Sequence, residues 1–182
     1  MKSICVFCGA RNGRDPAYLR DAEEIGRWIA TSGNRLVYGA GDVGLMGQVA
    51  RSAQAAGGET FGVIPTHLLD LEVGKRDLTR FIVTETMHER KKVMFVNSDA
   101  IVVLPGGAGS LDEFFEVLTW RQLGLHRKPI FVLNTNGYWD TLISLVNHVI
   151  NSGFADGSLL DFFEPAPDVT SLIARLDETL GA

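Results

Sequence analysis

The chain reads as an α/β protein, a Rossmann-like, doubly wound and mainly parallel sheet flanked by helices, in a single domain spanning residues 1–182. Three observations predict this class. Six short apolar runs alternate with amphipathic stretches of helical period. The runs are almost wholly apolar, as strands must be when helices cover both faces of a sheet. Glycine-rich turns follow several of them, at the strand ends where such folds hold ligands. With 182 residues, 46% of them hydrophobic, the chain suffices for one well-buried core and is short for two.

The elements follow in order. Ile4 to Phe7 forms the first strand and runs into Gly9. Its two cysteines, Cys5 and Cys8, have the spacing of a redox motif, but period-two alternation sends them to opposite faces. They are read as unpaired structural thiols in a reducing compartment. Asp15 and Pro16 open a helix that reaches Ser32 ahead of Gly33. Leu36 to Tyr38 is the second strand, and Leu45 to Ala56 the next helix. Thr60 to Ile64 and Phe81 to Val83 are strands separated by an irregular stretch, Pro65 to Asp77, with room for one helical turn. A helix capped by Thr86 and Glu89 follows. Strands Ala100 to Leu104 and Ile130 to Leu133 bracket a further helix. Trp139, Leu142, Ile143, Val146, Val149 and Ile150 then keep helical spacing up to Gly153. Phe162, Phe163 and Pro165 lead into a last helix, Val169 to Leu180, expected to cover a sheet edge.

Composition narrows the function. A formal charge of −5 and the lack of any lysine and arginine block argue against nucleic acid or an anionic membrane surface as partner. The opening apolar run is too brief for a membrane span or a signal peptide, so a cytoplasmic location is expected. His67, His88, His126 and His148 show no metal-ligand spacing, and no metal is expected. No Gly-x-Ser-x-Gly elbow or Walker lysine is present.

Two glycine turns carry the chemistry. In Val102-Val103-Leu104-Pro105-Gly106-Gly107-Ala108-Gly109-Ser110-Leu111-Asp112-Glu113 a strand empties into glycines that open directly onto a helix. Such a turn lets backbone N–H groups and the positive end of the helix dipole point at an anion. Glu113 is then read as aimed at a neighbouring sugar or base. The plainer reading is a capping box of Ser110 and Glu113, and both stand at this point. Gly39-Ala40-Gly41-Asp42-Val43-Gly44 spells a dinucleotide fingerprint, but the next strand ends in Pro65-Thr66-His67 without the acid such a site needs. It is read as a second wall of a nucleotide site or as a tight turn. Arg90 shares a helix face with Met87 and Met94, so it is either turned inward to a partner or part of a solvated Glu-Arg-Lys face. Phe114 to Trp120 is apolar around most of its circumference, more than one sheet contact requires, and part of it is expected to face a second subunit.

Pro-Gly-Gly-x-Gly-Ser-x-x-Glu at Pro105 to Glu113, preceded by Met-His-x-Arg-Lys at Met87 to Lys91, resembles the Lonely Guy (LOG) family of cytokinin riboside 5'-monophosphate phosphoribohydrolases. Phe7-Cys8-Gly9, Gly44-Leu45-Met46-Gly47 and Thr119-Trp120 extend the likeness over most of the chain. The resemblance implies hydrolysis of the N-glycosidic bond of a purine nucleoside 5'-monophosphate, AMP or a cytokinin riboside monophosphate, to free base and ribose 5-phosphate, without a cofactor. It implies Arg90 and Glu113 as the catalytic pair. Gly106, Gly107, Ala108, Gly109, Ser110, Leu111 and Asp112 would cradle phosphate and ribose, with Glu72, Lys91 and Thr119 lining the substrate site, in a homodimer. Ser110 stands where the family usually has threonine, and Ala40 interrupts a usual triple glycine. The alternative is a non-catalytic nucleotide or molybdenum-cofactor carrier of the same fold. A lysine decarboxylase, a label such sequences have carried, is set aside because no lysine has a recognisable pyridoxal phosphate setting.

Overall fold

A computed structural model describes residues 1–69 and 71–181. Seven strands form one all-parallel sheet in the order β4-β3-β2-β1-β5-β6-β7. They are β1 (Ser3–Phe7), β2 (Arg35–Tyr38), β3 (Glu59–Pro65), β4 (Arg80–Thr84), β5 (Ala100–Val103), β6 (Ile130–Leu133) and β7 (Glu164–Ala166). The helices are α1 (Pro16–Thr31), α2 (Gly44–Ala55), α3 (Met87–Val96), α4 (Ala108–Gln122), α5 (Asp140–Asn151) and α6 (Val169–Leu180). The six expected strands and the helices between them are present, with ends shifted by a residue or two.

Alternation along the strands builds two cores. On β1, Ile4 and Val6 pack with Ile25 and Ile29 of α1, Val49 of α2 and Leu172 of α6. Cys5 and Phe7 face the other way, towards Phe114 and Val117 of α4 and Leu142 and Val146 of α5. The two thiols are free and buried, Cys8 in the first core and Cys5 in the second. Burial pushes both well above the ordinary thiol range, which suits inert packing and not redox exchange.

Two details depart from expectation. The chain end adds a strand: β7 pairs with β6, placing Pro165 opposite Val132 on the sheet edge, where a missing N–H costs nothing. Helix α6 therefore packs on α1, β6 and β7 and does not itself close the edge. Between β3 and β4 the described residues hold a single 3-10 turn at Thr66–Leu68 in an otherwise irregular stretch, as expected. The second departure concerns α4. Its N-cap is Gly107, with no side-chain cap, so Ser110 lies inside the helix and the capping box of Ser110 and Glu113 does not form. Helix α3, by contrast, has the full box of Thr86 and Glu89.

Candidate active site

The strand order reverses between β1 and β5, and a cavity of about 440 Å³ opens at their carboxyl ends. Its floor is the glycine turn after β5. Leu104 N–H donates to Phe7 O at 2.9 Å, Gly9 N–H to Pro105 O at 3.0 Å, and the Tyr138 hydroxyl to Gly106 O at 2.5 Å. The turn is thus tied down by the Leu104 N–H and by the carbonyls of Pro105 and Gly106. A Cβ on Gly106 would lie 3.0 Å from Gly9 N and closer still to Ser110, so this approach requires glycine. Above it the first N–H groups of α4, from Ala108 onwards, have no side-chain cap, and Leu111 N–H makes the bond to Gly107 O that begins the helix. Unpaired donors at the positive end of a helix form a seat for an anion.

The second glycine turn makes the opposite wall. Gly44 has φ +57°, and Leu45 N–H donates to Gly9 O at 3.0 Å, which brings the start of α2 against the loop after β1. Leu45 and Met46 line the cavity there. Helix α2 also lacks a side-chain cap. Ala40 holds φ 58° with its methyl fully buried, so the alanine fills space in the core while occupying a backbone region that favours glycine.

Arg90 enters from α3. It is 3% exposed and turned inward: Nε donates to Val63 O at 3.1 Å, and Nη2 to Gly39 O at 2.6 Å and to Glu72 Oε2 at 2.8 Å. The solvated-face reading of this segment is therefore replaced by a buried, partnered guanidinium, whose cost of desolvation is met by these bonds. Gly39 makes room for it. A Cβ there would sit 2.1 Å from Arg90 Nη2. Gly39→Ala is accordingly expected to expel the guanidinium and cut turnover by roughly 10²-fold while the fold survives, checked by kinetics alongside circular dichroism.

Glu113 faces the same cavity, one helical turn beyond Gly109 on the same side of α4. No hydrogen bond reaches its carboxyl among the described residues. Burial pushes it up to about 8; Glu72 and Asp112 push the same way, against the pull of Arg90 and Lys91. A carboxyl displaced this far, in a cleft and beside an arginine, is poised for proton or charge chemistry near neutral pH.

Of the residues singled out from sequence, Glu72, Arg90, Gly106, Gly107, Gly109, Ser110 and Glu113 line this cavity. Five others lie outside it within the chain. Ala108 is exposed at the helix start, and Leu111 packs on the second core. Lys91 Nζ is buried in ion pairs with Asp112 Oδ2 at 2.9 Å and with Glu116. Thr119 lies on an apolar groove of about 210 Å³ between α4 and α5. Helical spacing fixes which residues share a face, not which face meets the cleft. Sequence reasoning missed Arg11, Asn12, Tyr18 and Tyr138, all of which line the cavity. Arg11 and Asn12 follow directly after β1, and the strand-end rule was signal enough to flag them. Tyr138 carried no such signal.

The fold and cleft define a Rossmann-like α/β protein whose strand-end pocket joins an anion seat to a partly buried carboxyl and a fixed arginine. Residues 46–176 match the family described as "possible lysine decarboxylase". The chain is 48% identical over 176 residues to the cytokinin riboside 5'-monophosphate phosphoribohydrolase of Rhodococcoides fascians, covering 96% of this chain and 89% of the relative. It is 42% identical over 177 residues to the probable cytokinin riboside 5'-monophosphate phosphoribohydrolase LOGL9 of Oryza sativa subsp. japonica, covering 97% and 78%. The molybdenum cofactor carrier protein of Chlamydomonas reinhardtii shares its fold at a TM-score of 0.75 and 24% identity, covering 100% of this chain and 99% of that one. The chain belongs to the Lonely Guy family.

Proposed function

We propose that this protein hydrolyses the N-glycosidic bond of a purine nucleoside 5'-monophosphate, AMP or a cytokinin riboside monophosphate, giving free base and ribose 5-phosphate. One observation carries the reading: on a single helix, the bare N-terminal amides of α4 and the Glu113 carboxyl face one cavity, offset by about one turn, or some 6 Å along the axis. The phosphate seats on the amides, and the sugar then lies against the acid. The named activity of the full-length relatives above supports the same assignment.

Breaking the bond from C1' to the purine nitrogen builds positive charge on the ribose. Ionised Glu113 stabilises that charge and orients the attacking water, as a carboxylate does in glycoside hydrolysis. Water supplies hydroxide to C1', and its proton ends on the departing base. Arg90 keeps its own proton and acts as a fixed positive charge. Because the ionised form is the active one, kcat/KM is expected to rise with pH and to level off above about 8, where Glu113 loses its proton. A fall over that range would make Glu113 the proton donor to the base.

Decarboxylation through a Schiff base is not supported, since among the described residues no lysine lines the cavity and the Lys91 ammonium is held by two carboxylates. Desolvation alone would lower its pKa, but Glu116 and Asp112 raise it above the ordinary value. Against a carrier role stands a partly buried, desolvated carboxyl in the same cavity as a triply bonded arginine, chemistry that passive storage does not need. Chromatography of AMP incubated with the protein separates the two: hydrolysis yields adenine and ribose 5-phosphate, whereas a carrier returns intact AMP.

We further place a homodimer on the α4–α5 face, where Phe115, Leu145 and Phe154 are 36%, 49% and 85% exposed. The buried free thiols support a cytoplasmic setting. Among the described residues, no helix is long and apolar enough to cross a membrane.

A further inference from the structure

The glycine turn after β5 has a soft point directly before α4. Gly106 and Gly107 are joined by a peptide with no side chain on either flank, and a Cβ on Gly107 would meet nothing within 4 Å, so sterics on that side leave the plane free to turn over. A hydrogen bond holds it instead. The Tyr138 hydroxyl, from the loop after β6, donates to Gly106 O at 2.5 Å. A trans peptide carries its C=O and N–H on opposite sides, so pinning the oxygen also fixes the direction of Gly107 N–H. Among the described residues that N–H has no hydrogen-bond partner, and Gly107 is exposed in the cavity beside the first amides of α4.

The donor is itself anchored. Asn136 at φ 52° and Gly137 at φ 74° turn the chain after β6, and two bonds fasten this turn to the start of α1: Asn136 Nδ2 donates to Asp15 Oδ2 at 2.8 Å, and Thr135 Oγ1 to Asp21 Oδ2 at 2.5 Å. The Tyr138 ring meets Tyr18 of α1 and Trp139 edge to face, with centroids 5.5 Å and 4.7 Å apart. Its hydroxyl is therefore in place before any ligand arrives. We propose that Tyr138 is a positioning residue for the substrate phosphate, locking the Gly106–Gly107 peptide so that Gly107 N–H joins the α4 amides on the anion. The inference rests on the reading above, in which that seat takes the phosphate of a nucleotide. An amide aimed at an anionic oxygen makes a charge-assisted bond, whereas a peptide turned over presents its carbonyl oxygen and repels the same group.

The test compares wild type with Tyr138→Phe, which removes the hydroxyl and keeps the ring between its neighbours. Ribose 5-phosphate and adenine, the two products, serve as calorimetric probes with and without a phosphate. Tyr138→Phe is expected to weaken ribose 5-phosphate by on the order of 10-fold, as loss of one charge-assisted bond does, and to leave adenine within about twofold. KM for AMP should rise in step, with kcat changing far less, because a contact to the phosphate is made equally in the ground and transition states. A second readout needs no variant: the Gly107 amide proton, followed by NMR, should move downfield when wild type binds ribose 5-phosphate, and much less in Tyr138→Phe. Equal ribose 5-phosphate affinity in the two proteins, or a Gly107 amide that stays put in wild type on binding, overturns the positioning role. An equal loss for both probes also overturns it, since Tyr138 would then support the cleft as a whole. All three results leave the hydrolase reading standing. That reading falls, and the inference with it, if wild type neither binds ribose 5-phosphate nor releases adenine from AMP.

Discussion

Glu113→Gln is expected to lose roughly 10³-fold in kcat while still binding AMP, measured by steady-state kinetics and by calorimetric titration. Glutamine keeps the size and polarity of the side chain but cannot carry the negative charge that the cationic ribose needs in the proposed mechanism. The anion seat on α4 is made of backbone amides several residues away, so the ground state barely notices the change. The same variant has a stability signature with a definite sign. Between the ordinary carboxyl value of 4.5 and about 8, the folded chain holds a proton that the unfolded chain has released. Rising pH therefore favours the unfolded chain over that window, and the loss is complete once the folded-state carboxyl has ionised. Glutamine has no such ionisation. The Tm of Glu113→Gln relative to wild type should climb between pH 5 and pH 9, and an unchanging difference would show that Glu113 is well solvated.

Gly44→Ala is expected to destabilise the protein by roughly 2–5 kcal/mol, lowering Tm by on the order of 10 °C. Two costs combine. Gly44 has φ +57°, a region that costs side-chain-bearing residues roughly 1–2 kcal/mol. An added Cβ would also lie 2.3 Å from both Ala10 C and Arg11 N, which are backbone atoms with no rotamer to yield. The loop after β1 would have to retreat, taking Arg11 and Asn12 with it, so AMP affinity should fall together with Tm. A variant with normal Tm and weakened binding would mean that the loop yields without cost.

How much was legible in the sequence follows from where each signal resides. Strands buried on both faces must be apolar throughout, so β1, β2, β3, β5 and β6 announce themselves, while β4, a largely exposed edge strand, shows through the run Phe81-Ile82-Val83. The three residues of β7, Glu164-Pro165-Ala166, carry neither alternation nor an apolar run, and only pairing with β6 makes them a strand. The glycines after β5 located the cleft, but Ser110-Leu111-Asp112-Glu113 has the same spacing whether the serine caps the helix or lies inside it. The backbone at Gly107 decides that, three residues upstream. Glu113 was flagged by the glycine turn after β5, whereas the α3 segment left Arg90 open between an inward and a solvated face and only the resemblance paired it with Glu113; both line the cavity. Lys91 and Thr119 were placed at the cavity by resemblance, and in the chain they point elsewhere. Tyr138 reaches Gly106 across 32 residues of sequence, a contact that no local pattern encodes.

Arginine has five N–H donors, and the protein itself occupies three of the Arg90 interactions, at Val63, Gly39 and Glu72. A cation moored in this way cannot swing to follow its guest. In the proposed reaction its electric field is installed before any nucleotide arrives, so no energy is spent turning it during bond cleavage. Lysine, with one rotating ammonium on a limp stem, has no means of mooring at all three points, and preserving the charge alone would not preserve the enzyme.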